Sequence, residues 1–307
     1  MICIPKNDLV LRTEVVFVFD LLGINFENMV YTDSEIFENQ KDFHWNLHLV
    51  DHNFYDKSIL NLNSYEILSV IDHHVDEHGP CKELKKIEMV GSCATLIASL
   101  FKEKFCCANQ DFSLTKDLRV LLSAAILIDT INLDFQKGRT TIKDVEMLKF
   151  LAIDKDFMNY DDFYKKLILA KIDISKLSVH DLLRRDSKSF ECSIGSVFIC
   201  SVTGITWKEF SARKCVSEDI ATYSSKNNIS IFILMLASHH DDGTFQRFLA
   251  IDPGKSMMSD CINDMIDRLE LVKITTDGFD NWVVYEQLNV RSSRKIVLPL
   301  VKSWFTE

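Results

Sequence analysis

Proline is scarce in this chain, four residues in 307, and glycine stands at only nine. That excludes proline-rich linkers, collagen-like repeats and low-complexity disorder as its main character. No run of Lys and Arg is longer than two residues, and 45 acids outnumber 35 bases to give a formal charge of −10. Nucleic-acid binding through a broad cationic face is therefore not expected. A polyanionic ligand would need a local cationic site or a bound metal, because the overall field repels it. Long apolar runs are missing too. The longest, Leu118–Leu133, is broken by Arg119, Ser123, Asp129 and Asn132, short of the roughly 20 apolar positions a membrane helix needs. The first residues, Met1-Ile2-Cys3-Ile4-Pro5-Lys6, have neither signal-peptide nor transit-peptide character. Nine cysteines are present without a single CxxC pair, which argues against a zinc knuckle or a disulfide framework. A cytoplasmic protein with no membrane association is the expectation.

What is there reads as α/β. Ile2–Pro5 reads as a strand, and Leu9–Leu22 as an amphipathic helix closed by Gly23. Two short apolar runs then end in acids, Asn46–Val50 before Asp51 and Ile67–Ile71 before Asp72. Strands buried on both faces take this form, and ligand groups in open α/β sheets gather at their carboxyl ends. Ser92 is placed to cap a helix running to about Lys104, and Ser113–Asp117 opens a buried helix, Leu118–Ile128, that ends at Asp129. A charged helical stretch from Asp154 to Lys176 connects to a second half with strands at Ser196–Val202, Ile229–Ala237, Phe245–Ile251 and Trp282–Tyr285 around a helix at Met257–Leu269. That half reads as α+β. The expected domains are residues 1–160 and 161–307.

Asp72-His73-His74 is the sharpest chemical feature, because carboxylate and imidazole together suit divalent Mn, Co or Zn. Adjacent strand residues point to opposite faces, so His73 and His74 are expected to serve different ligands, one a metal and the other a phosphate or a proton. Asp129 would place a negative charge at the carbonyl end of a helix, which is unfavourable without a nearby cation. Three acids, each closing an apolar run, point to a shared one.

With these residues in hand the chain resembles a known family. Val50-Asp51-His52-Asn53, Ile71-Asp72-His73-His74-Val75-Asp76, Gly91-Ser92-Cys93-Ala94-Thr95-Leu96 and Ala125–Leu133 look like successive motifs of the DHH phosphoesterase superfamily. Leu182–Lys188, and Ser292-Ser293-Arg294-Lys295 followed by Pro299, look like its DHHA2 domain. The combination of Asp51-His52-Asn53 with Ile4-Pro5 and Leu11-Arg12-Thr13-Glu14 is most similar to the fungal cytosolic exopolyphosphatases, with prune proteins and manganese-dependent pyrophosphatases as relatives. The resemblance implies an N-terminal parallel-sheet DHH domain, a C-terminal DHHA2 domain and an active site in the cleft between them. It implies that Asp51, His73 and Asp129 hold two Mn2+ or Mg2+ ions, with Asp51 and Asp129 bridging. It further implies that His74 contacts the phosphoryl group, and that Lys188, Arg294 and Lys295 bind the phosphate chain. Asp51, Asp129 and His74 would be the catalytic set.

One departure stands out. The family carries an earlier strand ending in Asp-x-Asp, whereas this chain begins at what resembles the second strand. Weak metal binding, a sheet lacking an interior strand with backbone groups unpaired beside it, and low or no turnover are therefore expected. The expected activity is release of terminal phosphate from inorganic polyphosphate. A pyrophosphatase or cyclic-nucleotide phosphodiesterase of the same fold, or an inactive binding or scaffold protein, are the rivals.

Overall fold

The computed structural model describes residues 4–38, 43–107, 114–151, 159–193, 195–239, 243–254, 259–275, 279 and 282–305. The chain divides into two compact units, Met1–Lys171 and Ile172–Glu307.

The first unit opens with a helical segment in two pieces. A 3-10 turn over Lys6–Leu11 gives way at Arg12 (φ −96°, ψ 66°) to α1 (Thr13–Leu22), which Gly23 ends in the left-handed conformation at φ 64°. The single helix expected over Leu9–Leu22 is thus broken at Arg12, because 3-10 and α hydrogen bonding do not continue through that backbone geometry. Ile4 and Pro5 are not in a strand, and Met1–Cys3 lie outside the described residues.

Three parallel strands follow, β1 (Trp45–Val50), β2 (Tyr65–Asp72) and β3 (Leu84–Ile87), in that spatial order. β2 is central and the most deeply buried of the three, as its apolar run requires. β3 was not legible, since Leu84-Lys85-Lys86-Ile87 carries two lysines among its four residues. The helices α2 (Cys93–Cys107), α3 (Lys116–Asp129), α4 (Ile142–Leu151) and α5 (Tyr160–Ile172) complete the unit. Thr115 caps α3 by accepting from the Leu118 amide; Ser113, named above as part of that start, lies outside the described residues. Ala98, Val120, Leu127, Leu148, Phe163 and Leu167 are buried in one core shared by α2 to α5. Of the charged stretch from Asp154 to Lys176, α5 is helical, while residues 152–158 lie outside the description.

The second unit is a six-stranded mixed sheet with helices on both faces. Its strands are β4 (Ser187–Cys192), β5 (Gly195–Thr203), β6 (Ile229–His239), β7 (Phe245–Asp252), β8 (Leu271–Ile274) and β9 (Val283–Gln287), in the order β4-β5-β6-β7-β9-β8. Only the β5–β6 pair is parallel. Alternation along the strands feeds two cores. Phe198, Phe232 and Leu234 pack with α6 (Val179–Arg185), α7 (Trp207–Ser211) and α8 (Val216–Lys226). Ile199, Ile231 and Ile233 pack with α9 (Ser259–Leu269) and α10 (Arg294–Ser303). The continuous apolar run of β6 is the consequence of being covered on both sides.

Candidate active site

The site in the first unit begins with a turn. β1 stops at Val50, and Asp51 follows at φ 68°, with its amide donating to the Ile71 carbonyl at 3.0 Å. A left-handed backbone is uncommon outside glycine, and Asp and Asn are among the residues that tolerate it. It leaves the Asp51 carboxylate beside His73, with Oδ1 at 3.2 Å from Nε2. Two residues on, Asn53 is buried and ties the two strand ends together. Its amide group donates to Asp72 Oδ2 at 2.5 Å and to the Val75 carbonyl at 3.0 Å, and its oxygen accepts from the Glu77 amide at 2.8 Å.

Asp72, the last residue of β2, is fully buried. It faces inward and holds the two histidines instead of joining a cluster of acids. Oδ1 accepts from the His73 amide at 2.7 Å and pairs with His74 Nδ1 at 2.8 Å. Burial pulls the Asp72 carboxyl upward, but the bonds from His74, Asn53 and the two backbone amides outweigh it and leave the pKa lowered. The same Asp72 hydrogen bond raises the His74 pKa above its ordinary 6.5, with Asp51 and Asp129 adding to the effect.

His73 is oriented by the Val90 carbonyl, which lies 2.9 Å from Nδ1. A carbonyl only accepts, so Nδ1 carries a proton, and on the neutral ring Nε2 presents the lone pair. That lone pair meets a carboxylate oxygen at 3.2 Å. On the neutral ring these are two acceptors, which a shared cation would join, either a proton on Nε2 or a metal ion. Metal bonds of about 2.1 Å at right angles set neighbouring donors about 3 Å apart, so the pair fits an octahedral divalent ion. Ligand atoms of Asp51, His73 and His74 all lie within 4.8 Å of one another. Both histidines therefore sit on one side of the site, with ring centroids 4.4 Å apart. The expectation of opposite faces is corrected for a simple reason: β2 ends at Asp72, so strand alternation no longer governs the next two residues.

Asp129 is the last residue of α3 and borders the same pocket of about 550 Å³, although it is not in that tight trio. Its carboxylate accepts from Ser92 Oγ at 2.6 Å. It is open to solvent on one side and enclosed on the others; desolvation raises its pKa, with Asp51 adding to this and the Ser92 bond and His73 opposing it. Ser92 is buried and also receives the Ala94 amide at 3.3 Å, so it serves α2 and Asp129 together. Cys93 lies nearby, but burial pushes its thiol up to about 12, which keeps it out of any thiolate role.

Lys188, Arg294 and Lys295 belong to the second unit. Lys188 is exposed on β4, and Lys295 is exposed in the first turn of α10. Arg294 is mostly buried and ion-paired through Nη2 with Asp186, which ends α6 just before β4. This pair ties the start of β4 to the start of α10 and so brings together two segments far apart in sequence.

Sequence reading passed over the work of Asn53 and Asp72 and the bond from Ser92 to Asp129, and missed the pocket wall formed by Gly138-Arg139-Thr140-Thr141. The signal for that wall was Thr141-x-x-Asp144, a helix-capping pattern.

Comparison with known proteins adds the following. Residues 165–304 match the DHHA2 domain. A Schizosaccharomyces pombe protein named "Putative exopolyphosphatase" is 29% identical over 97% of this chain and 80% of its own length. Human Exopolyphosphatase PRUNE1 is 26% identical over 97% of this chain, which spans 66% of that protein. An Oceanobacillus iheyensis protein named "Probable manganese-dependent inorganic pyrophosphatase" is 26% identical over 71% of this chain and 68% of its own.

Proposed function

We propose, on the premise that residues 165–304 are a DHHA2 domain, that this protein is a metal-dependent phosphoanhydride hydrolase. The reaction we assign is release of terminal phosphate from inorganic polyphosphate, as the names of the fungal and human relatives suggest. The observation that carries it is His73 Nε2 facing Asp51 Oδ1 at 3.2 Å, with Nδ1 already committed to Val90.

Asp51, His73 and Asp129 would hold Mn2+ or Mg2+. When bound, such an ion lowers the pKa of water and neutralises charge developing on phosphoryl oxygens. His74, with its proton affinity raised by Asp72, donates a hydrogen bond to a phosphoryl oxygen. Asp72 and Asn53 keep that ring in place, and Ser92 keeps Asp129 in place. Lys188, Arg294 and Lys295 supply cationic contacts for the phosphate chain, Arg as a fork and Lys as point charges. Asp186 orients the Arg294 fork. A cytoplasmic setting belongs to the same proposal.

The test is phosphate release from long polyphosphate, tripolyphosphate and pyrophosphate by the purified protein with Mn2+ or Mg2+ added. Preference for the longer chains is expected. The pyrophosphatase relative favours a second reading, in which pyrophosphate is turned over faster. No release from any of the three, at any metal concentration, would sink both readings.

A further inference from the structure

A cationic residue that the roles above leave unused borders the pocket of the first unit. Arg139 borders it together with Asp51, His73, His74 and Asp129. The residue is exposed, and among the described residues no carboxylate lies within ion-pair distance of its guanidinium.

Its backbone, by contrast, is fixed. Gly138, at φ 67°, turns the chain into Arg139. The Thr140 hydroxyl donates to the Thr130 carbonyl at 3.1 Å, and the Thr141 amide and hydroxyl both reach Asp144 Oδ2 at 2.7 Å. Asp144 is fully buried and also accepts from the Gly91 amide at 2.9 Å and Thr95 Oγ1 at 2.6 Å. One carboxylate thus joins the α2 entry, the Arg139 loop and the start of α4. Gly91 lets these walls close up: a Cβ there would stand 2.5 Å from the Arg139 carbonyl oxygen.

An exposed Arg without a partner contributes little to folding, whereas a guanidinium fork takes two phosphoryl oxygens at once. The pocket also carries two carboxylates that would repel an anion, and Arg139 offsets them. We propose that Arg139 is a substrate-binding residue that grips non-bridging oxygens of the phosphoryl group entering this pocket beside Asp51 and Asp129. The inference rests on the phosphoanhydride reading and deepens it, giving the first unit an anion contact of its own, separate from Lys188, Arg294 and Lys295. Every condensed phosphate brings such a group, so Arg139 acts on short and long substrates alike.

The experiment compares the full chain with R139Q and R139K, Mn2+ present throughout. Each is titrated calorimetrically with imidodiphosphate, a non-hydrolysable pyrophosphate analogue, and assayed for phosphate release from pyrophosphate and tripolyphosphate. R139Q is expected to weaken imidodiphosphate binding at least tenfold and to lower kcat/KM by a similar factor on both substrates. R139K should recover part of the loss, as a charge without the fork. Melting temperatures should match, and if R139Q melts well below the parent, R139K carries the test with a severalfold loss expected. Unchanged binding in the variants, a loss confined to tripolyphosphate, or a parent protein that does not bind imidodiphosphate overturns the proposal. A parent that binds imidodiphosphate through Arg139 but releases no phosphate overturns the hydrolase reading alone.

Discussion

Several functional side chains of the first unit are held by a neighbour. His73 has the Val90 carbonyl, His74 has Asp72, Asp72 has Asn53, and Asp129 has Ser92. Replacing Asp72 by Asn removes the anion that raises the His74 pKa. An NMR titration should then show the His74 midpoint falling back toward 6.5. The bonds weakened at a fully buried position should cost about 1–3 kcal/mol of stability in denaturant unfolding. Asp129→Asn tests the metal directly. In the parent, Mn2+ at a hundredfold excess over its Kd should stabilise by about 2.7 kcal/mol, read as a rise in melting temperature. The variant should show little of that rise, and an undiminished Mn2+ shift would remove Asp129 from the metal set.

At the scale of the element, ends matter more than middles. β1 is half-exposed, with only Leu49 buried, and β2 is a buried strand; the chemistry starts where each one stops, at Asp51 and at Asp72-His73-His74. In the second unit, α6 is started by a reciprocal cap in which the Ser178 hydroxyl receives the Asp181 amide and the Asp181 carboxylate receives the Ser178 amide. Burial pulls the Asp181 pKa up, but bonds from Ser178 and Arg184 prevail and leave it below 3.8. A carboxylate whose pKa is lowered on folding stabilises above its unfolded value, and the contribution is lost as pH falls through the folded value. Asp181→Asn should therefore cost about 1 kcal/mol near neutral pH. The gap between the two melting temperatures should close as pH drops below 3.8. Since α6 leads into Asp186 and β4, the same variant tests whether this cap steadies the segment that carries Lys188.

At the scale of the molecule, two units carry different donors. Every candidate metal ligand lies in Met1–Lys171, while Lys188, Arg294 and Lys295 lie in Ile172–Glu307. Removing metal with a chelator should abolish phosphate release and lower the melting of the first unit. The second unit's transition should stay where it was, and calorimetry resolving two transitions would check this. A common downward shift of both would show that the units melt as one.

Much of the site was readable as residue types at the ends of apolar runs, because packed strands and helices are written as apolar stretches and change character where they stop. Asp51, His73, His74 and Asp129 were singled out this way, and Ser92 from helix-capping chemistry. β3 was missed because two lysines mask its pattern, and the break at Arg12 because a backbone turn needs no special residue. What tertiary structure alone decided is which groups meet. Asp72 turns inward to hold an imidazole, His73 and His74 share a side once the strand has ended, and Asp144 draws Arg139 to the pocket wall. Side-chain alternation and helical period act over a few residues and are written in order along the chain. Contacts between segments dozens of residues apart depend on how strands and helices pack, and no local pattern contains them.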